Sequence, residues 1–107
     1  IVSGQNIQPE DIEASIGQVP GVLAGRVVAF GIDNPATGSQ QIAVIVESMT
    51  SDYAELQVLR RSIIRAAAMS DFTLSHVYFA PPRWLIKSSS GKLSRAANAR
   101  RVGELNQ

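Results

Sequence analysis

The stretch Gln41-Ile42-Ala43-Val44-Ile45-Val46-Glu47 decides the fold. Residues Ile42 to Val46 are apolar without a break, and all but Ala43 are β-branched. Side chains of a strand alternate between its two faces. An unbroken apolar run therefore predicts a strand buried on both faces, with a layer of structure above and another below. Upstream, Val22 to Ile32 contains Val27-Val28-Ala29-Phe30, a second strand by its β-branched content. The turn cluster Asp33-Asn34-Pro35-Ala36-Thr37-Gly38 joins the two, so they read as an antiparallel hairpin.

The pattern continues outward in both directions. Downstream, Ser51-Asp52-Tyr53-Ala54-Glu55 predicts a helix start, with Asp52 as cap and Glu55 three residues on. Leu56, Leu59, Ile63 and Ala66/Ala67 then recur at helical spacing, and Arg60, Arg61 and Arg65 read as a solvated helix face. Val77-Tyr78-Phe79 is a further strand closed by Pro81-Pro82, and a final helix is expected from about Arg95 to Gly103. Toward the N-terminus, Ile1-Val2-Ser3-Gly4 reads as a strand end running into a loop. Pro9-Glu10-Asp11-Ile12-Glu13 begins a helix, because proline suits the first turn and carboxylates complement the positive helix end. Ile12 and Ile16 would face the core; Gly17 and Pro20-Gly21 stop the helix. The order β-α-β-β-α-β-loop-α predicts an α+β domain. It has a small mixed or antiparallel sheet of about three strands plus a short hairpin, with two to three helices packed on it.

Composition narrows the function classes. With 107 residues, 45% of them hydrophobic, and 10 Lys+Arg against 9 Asp+Glu, the chain reads as one globular domain and not as a disordered segment. No apolar run approaches the roughly 18–20 residues of a membrane span. The lack of cysteine excludes a disulfide framework and thiolate chemistry and suits a cytoplasmic protein. No signal-peptide or lipidation pattern is read in the sequence. Residue 1 is Ile rather than Met, so the chain is expected to be part of something longer.

The charge balance is uneven along the chain. Up to Leu59, seven acids face the single base Arg26; from Arg60 onward, nine bases face only Asp71 and Glu104. Such asymmetry marks either an anionic partner at one end or two solvated faces that attract one another, and counting alone favours the second. Nucleic acid is the weaker partner class. There are six aromatics, and only Trp84 adjoins the basic loop, so no stacking stripe accompanies the cations.

Metal ligation is not expected: cysteine is absent, and the single histidine, His76, lies beside a strand without a partner. A catalytic triad fails for the same reason, and His76 reads as an ordinary strand-end residue. The carboxylates Asp11 and Glu13 are accounted for by their place in a helix first turn. Lys87-Ser88-Ser89-Ser90-Gly91-Lys92 is the informative segment. It is not a Walker A loop, since Ile86 stands where that motif needs its first Gly and Leu93 follows the lysine in place of Ser/Thr. Small hydroxyl residues and a glycine nonetheless allow close backbone approach, an ammonium supplies a point charge, and a helix follows. Spacing alone leaves an anion site and a solvated loop equally open.

Trp84-Leu85-Ile86-Lys87-Ser88-Ser89-Ser90-Gly91-Lys92-Leu93-Ser94-Arg95 resembles the pattern Leu-Pro-Lys-Thr-Ser-Ser-Gly-Lys-Ile-x-Arg. That pattern lies near the C-terminus of acyl-adenylate-forming enzymes: acyl-CoA synthetases, fatty acyl-AMP ligases, firefly luciferase and peptide-synthetase adenylation domains. Ser3-Gly4-Gln5-Asn6-Ile7-Gln8-Pro9-Glu10-Asp11-Ile12-Glu13 is similar to the family segment just past the interdomain hinge, Gly-x-x-Ile-x-Pro-x-Glu/Asp-Ile-Glu. Val19-Pro20-Gly21-Val22 matches the usual Pro-Gly-Val between them. The matches follow family order and together span essentially the whole chain. Ile86 replaces the usual Pro and Ser88 the usual Thr, and both leave the register of the lysine intact.

The resemblance implies that residues 1–107 form the small, mobile C-terminal domain of such an enzyme, with the N-terminal adenylation domain and the hinge outside this chain. Family members first join a carboxylate to ATP, giving acyl-adenylate and pyrophosphate, and then pass the acyl group to a thiol, the C-terminal domain rotating in between. By match of position Lys92 is the adenylation lysine, and Ser88, Ser89, Ser90 and Gly91 form the substrate-binding loop that delivers it. Gly4, Gln5 and Asn6 are the acceptor-facing loop. ATP and Mg²⁺ would be held mainly by the other domain, and none by this one alone. The acceptor would be an acyl carrier protein or CoA; Gly25 to Phe30 and Gly4 to Asn6 resemble fatty acyl-AMP ligases more than acyl-CoA synthetases. The expected partners are thus the N-terminal domain and a phosphopantetheine thiol, without nucleic acid or a membrane span. A stand-alone module that docks a carrier protein or adenylating partner is the alternative reading.

Overall fold

A computed structural model describes residues 8–34 and 39–105. The strand expected at Ile1–Gly4, the loop Gly4–Asn6 and the turn residues Pro35–Gly38 lie outside the described residues. Three strands form one mixed sheet in the order β1-β2-β3. Strands β1 (Val22–Asn34) and β2 (Ser39–Ser48) pair antiparallel, with Ala29 opposite Val44 and Phe30 opposite Ala43. Strand β3 (Leu74–Ala80) pairs parallel to β2, with Ile45 opposite Tyr78. The expected hairpin is thus part of the sheet and not additional to it. The parallel pairing follows from the intervening helix, which carries the chain back to the end where β2 began.

Both faces of β2 are covered, as the apolar run demands: every residue from Ile42 to Ser48 is buried. Val27 and Ala29 of β1 and Ile42, Val44 and Val46 of β2 point into the larger core. Helices α1 (Pro9–Gly17) and α2 (Tyr53–Met69) close that core with Ile12 and Ile16, and with Leu59, Ile63 and Ala67. The spacing i, i+4, i+8 on α2 puts its three buried residues on one stripe. On the opposite face, Val28 and Ile45 meet Ala80 and Leu85, with Phe30, Trp84, Leu93, Val102 and Leu105 packed around them. The segment after β3 therefore serves as the second layer.

Local chemistry accounts for the element ends. The Asp52 carboxylate accepts the Glu55 backbone N–H at 3.0 Å, as the cap reading predicts, while the Glu55 carboxylate accepts from the Thr50 hydroxyl at 2.8 Å. Gly21, at φ +101°, makes the turn into β1, and a Cβ there would stand 3.2 Å from Leu59 Cδ1. The final helix α3 is shorter than expected, Arg95–Arg100, followed by a 3₁₀ turn at Val102–Glu104. The Arg101 N–H bonds back to Asn98 O, an i to i−3 bond that tightens the chain and ends the α-helix. No described helix is long and apolar enough to cross a membrane.

One element of the basic half departs from the sequence reading. Arg61 and Arg65 are exposed, but Arg60 is half-buried. Its Nη1 donates to the Val77 carbonyl at 3.1 Å, and its guanidinium lies 5.2 Å from the centre of the Phe79 ring. It binds α2 to β3 and is not a solvated cation.

Candidate functional site

The segment Lys87–Leu93 is a tight hairpin. Lys87 and Leu93 form an antiparallel bridge. The Ser88 N–H donates to Lys92 O at 2.7 Å, and the Gly91 N–H donates to Ser88 O at 2.9 Å. Gly91 adopts φ +86°, the left-handed conformation a glycine reaches without strain, which lets the chain reverse just before Lys92. The Ser88 and Ser90 hydroxyls are 2.8 Å apart. Ser88, Ser89, Ser90, Gly91 and Lys92 lie together at one exposed tip.

The base of the hairpin is clamped by a residue that sequence reasoning missed. Asn98 is fully buried. Its Oδ1 accepts the Ile86 N–H at 2.8 Å, and its Nδ2 donates to Ile86 O at 3.0 Å and Ser94 O at 2.7 Å. The Ser94 N–H also donates to Ile86 O at 3.1 Å, and the Ser94 hydroxyl caps α3 by accepting from Ala97 N–H. One side-chain amide therefore joins the two strands where the loop leaves the domain. The signal in the sequence was a lone amide in the otherwise small and charged run Arg95-Ala96-Ala97-Asn98-Ala99-Arg100.

Below that clamp lies a buried carboxylate. Glu47, 1% exposed, closes the apolar run of β2. Its Oε1 accepts from Arg26 Nε and from the Arg83 N–H, both at 2.9 Å, and its Oε2 accepts from the Leu85 N–H at 2.8 Å. Burial pushes this carboxyl up, but the Arg26 guanidinium and the two backbone N–H groups outweigh it and hold the pKa below the ordinary carboxylate value. Arg83, whose N–H meets the carboxylate, takes the left-handed φ of +70°. The signal in the sequence is position: a carboxylate continuing a doubly buried strand must find buried donors.

A third group ties the hairpin to α1. Arg95 Nε and Nη2 donate to Glu13 Oε2 and Oε1 at 2.8 and 2.9 Å, a two-point contact, and Nη2 stands 3.3 Å from Glu10. Glu13 Oε2 accepts the Ala29 N–H of β1 as well, at 2.9 Å. Donation to the Glu13 carboxylate raises the pKa of Arg95. Glu13 lies beyond the first turn of α1, whose acids are Glu10 and Asp11, so its contacts to Arg95 and Ala29 replace the first-turn capping account. Between α1, the start of β1 and the hairpin lies an open groove of about 650 Å³ with Lys87, Lys92 and Arg95 among the residues that line it. Among the described residues Arg95 has carboxylate partners, whereas Lys87 and Lys92 have none.

His76 contacts the Ser75 hydroxyl through Nδ1 at 2.9 Å and stacks on Tyr78. Among the described residues no group of three or more His, Cys, Asp or Glu is placed to hold a metal ion.

Comparison with known proteins locates this architecture. No protein-family model matches the chain. It is 33% identical over 104 residues to a long-chain-fatty-acid–AMP ligase of Mycobacterium marinum, covering 91% of this chain and 17% of the relative. Over about nine-tenths of its length the chain is thus a homologue of fatty-acid–AMP and fatty-acid–CoA ligases. Among solved structures, fatty acyl-adenylate ligases from E. coli and L. pneumophila superpose with a TM-score of 0.74 at 28% identity, over 97% of this chain and 18% of that one. The adenylation–ketoreductase structure of a keto acid-selecting peptide-synthetase module superposes with a TM-score of 0.88 at 26% identity, over 97% of this chain and 9% of that one. The chain spans only a small fraction of the length of these relatives.

Proposed function

We propose that this chain is the C-terminal domain of an acyl-adenylate-forming ligase that activates a carboxylic acid, a fatty acid by the names of its relatives. Lys92 supplies the catalytic ammonium. In the first half-reaction a carboxylate oxygen bonds to the α-phosphorus of ATP and the bond to pyrophosphate breaks. Two anions must be brought together, so a fixed cation at the meeting point lowers the barrier by neutralising charge that builds in the transition state. The observation that carries this reading is the state of Lys92: an exposed ammonium on a hairpin clamped at its base, without a carboxylate partner among the described residues.

An N-terminal adenylation domain of the same polypeptide would hold ATP, Mg²⁺ and the acyl chain, and this domain alone is expected to be inactive. No step is assigned to a metal held by this chain. Ser88, Ser89, Ser90 and Gly91 present the lysine. In the second half-reaction the domain rotates, and Gly4, Gln5 and Asn6 face a phosphopantetheine thiol of a carrier protein or CoA.

The test is Lys92→Ala in the full-length enzyme. Carboxylate-dependent pyrophosphate exchange should fall by at least about 10²–10³-fold, the cost of losing one charge-stabilising group. Acyl transfer from preformed acyl-adenylate should be largely spared. Unchanged exchange overturns the proposal.

A further inference from the structure

We infer that Asn98 is a positioning residue for Lys92, an inference that rests on the adenylation role proposed above. The hairpin carrying Lys92 leaves the domain at Ile86 and re-enters at Ser94, and both of these residues are held by the same buried amide. The Asn98 side chain uses its acceptor on Ile86 N–H and both its amide hydrogens on Ile86 O and Ser94 O, which exhausts its donors. Nothing smaller or singly charged reproduces that pattern. An aspartate keeps the acceptor but turns negative oxygen toward the Ile86 and Ser94 carbonyls, which then lose their donor.

The geometry separates this role from simple core filling. Asn98 makes no ion pair and holds no strand of the sheet. All three of its side-chain bonds go to the two ends of one loop, Ile86 and Ser94, which flank the tip at Ser89 and Ser90. Above the clamp the loop keeps the Lys87–Leu93 bridge, the Ser88–Lys92 and Gly91–Ser88 backbone bonds and the Ser88–Ser90 hydroxyl contact, all within itself. Loosening the base therefore displaces the ammonium while β1, β2 and β3 stay in place. A misplacement of about 1 Å in a catalytic group costs as much as roughly 10²-fold in rate. Because Asn98 acts through another side chain, its effect must vanish when that side chain is absent.

The experiment is a double-mutant cycle in the full-length enzyme with Asn98→Asp and Lys92→Ala, reading pyrophosphate exchange and acyl transfer from preformed acyl-adenylate. Asn98→Asp should lower the exchange kcat at least about tenfold. It should leave the KM for ATP within about twofold and keep transfer near wild type. The double variant should exchange no more slowly than Lys92→Ala alone. Equal losses in both half-reactions, or effects that multiply in the double variant, overturn the positioning role in favour of a purely structural one. Wild-type exchange in Asn98→Asp also overturns it, while a silent Lys92→Ala overturns the adenylation reading itself. If Asn98→Asp fails to fold, the same cycle is read on Asn98→Ser, which keeps one hydroxyl for the Ile86 carbonyl, with the same outcomes deciding.

Discussion

The Arg95 guanidinium grips the Glu13 carboxylate with two hydrogen bonds across 82 positions of sequence. The same carboxylate accepts the Ala29 N–H, so a single side chain joins α1, β1 and α3. The two ends of the contact are unequal. Truncating Arg95 leaves Glu13 with its backbone donor, whereas truncating Glu13 orphans a β1 N–H and leaves the guanidinium only its contact with Glu10. Glu13→Ala should therefore destabilise the chain by about 1 kcal/mol more than Arg95→Ala in urea denaturation. Arg95→Lys should behave like Arg95→Ala, because an ammonium lacks the planar fork. Equal midpoints for Glu13→Ala and Arg95→Ala would count against this account.

The sheet was legible in the sequence because burial on two faces leaves a direct mark, the unbroken Ile42–Val46 run. The α2 cap was legible because Asp52 and Glu55 act within one turn. Lys92 and its loop are singled out by motif resemblance, since spacing alone leaves them open, and the hairpin form of that loop is seen only in the structure. Glu47, Asn98 and Glu13 were not legible, and for one reason. Each is a polar residue with at least one partner 12 to 82 positions away. Sequence shows the polar residue but not which distant N–H or guanidinium will reach it. Arg60 escaped in the same way, since its acceptor is a backbone carbonyl of β3.

Neighbouring residues on β2 report on the two cores separately. Val44 faces α1 and α2, and Ile45 faces the segment that carries the hairpin. Ile45→Ala should cost about 2–5 kcal/mol, the range for truncating a fully buried aliphatic side chain. Ile64→Ala, at a 45% exposed site on α2, should cost less than about 1 kcal/mol. Thermal or chemical denaturation of the set decides the point. A cost for Ile45→Ala no greater than that for Ile64→Ala would mean that the second core is not formed in solution.

Glycine substitutions separate backbone strain from crowding. At Gly91 an added Cβ would meet nothing within 4 Å, so Gly91→Ala should cost only the strain of φ +86°, about 1–2 kcal/mol. Gly17 also has open space around it, but it sits at the end of α1 without a left-handed φ. Gly17→Ala should stabilise by about 0.4–1 kcal/mol through the unfolded chain. Opposite signs of the two midpoint shifts in urea are the expected result, and shifts of the same sign would contradict the backbone conformations assigned here.

The buried carboxylate of Glu47 sets a pH dependence whose direction follows from its environment. Its folded pKa lies below the ordinary carboxylate value because the Arg26 and backbone donors outweigh burial. The unfolded state therefore takes up a proton first as pH falls. The stability that Glu47 contributes is fully present above its unfolded pKa of about 4.3 and is lost progressively as pH drops through that value toward the folded one. Glu47→Gln removes the titration and leaves the Arg26 guanidinium without its counter-charge. The variant should be less stable at pH 7, by about 1–3 kcal/mol. Its deficit against wild type should narrow between about pH 5 and pH 3, as the wild-type carboxylate becomes protonated. Urea midpoints measured across that range check the sign. A deficit that widens on acidification would show that the donors around Glu47 do not stabilise its charged form.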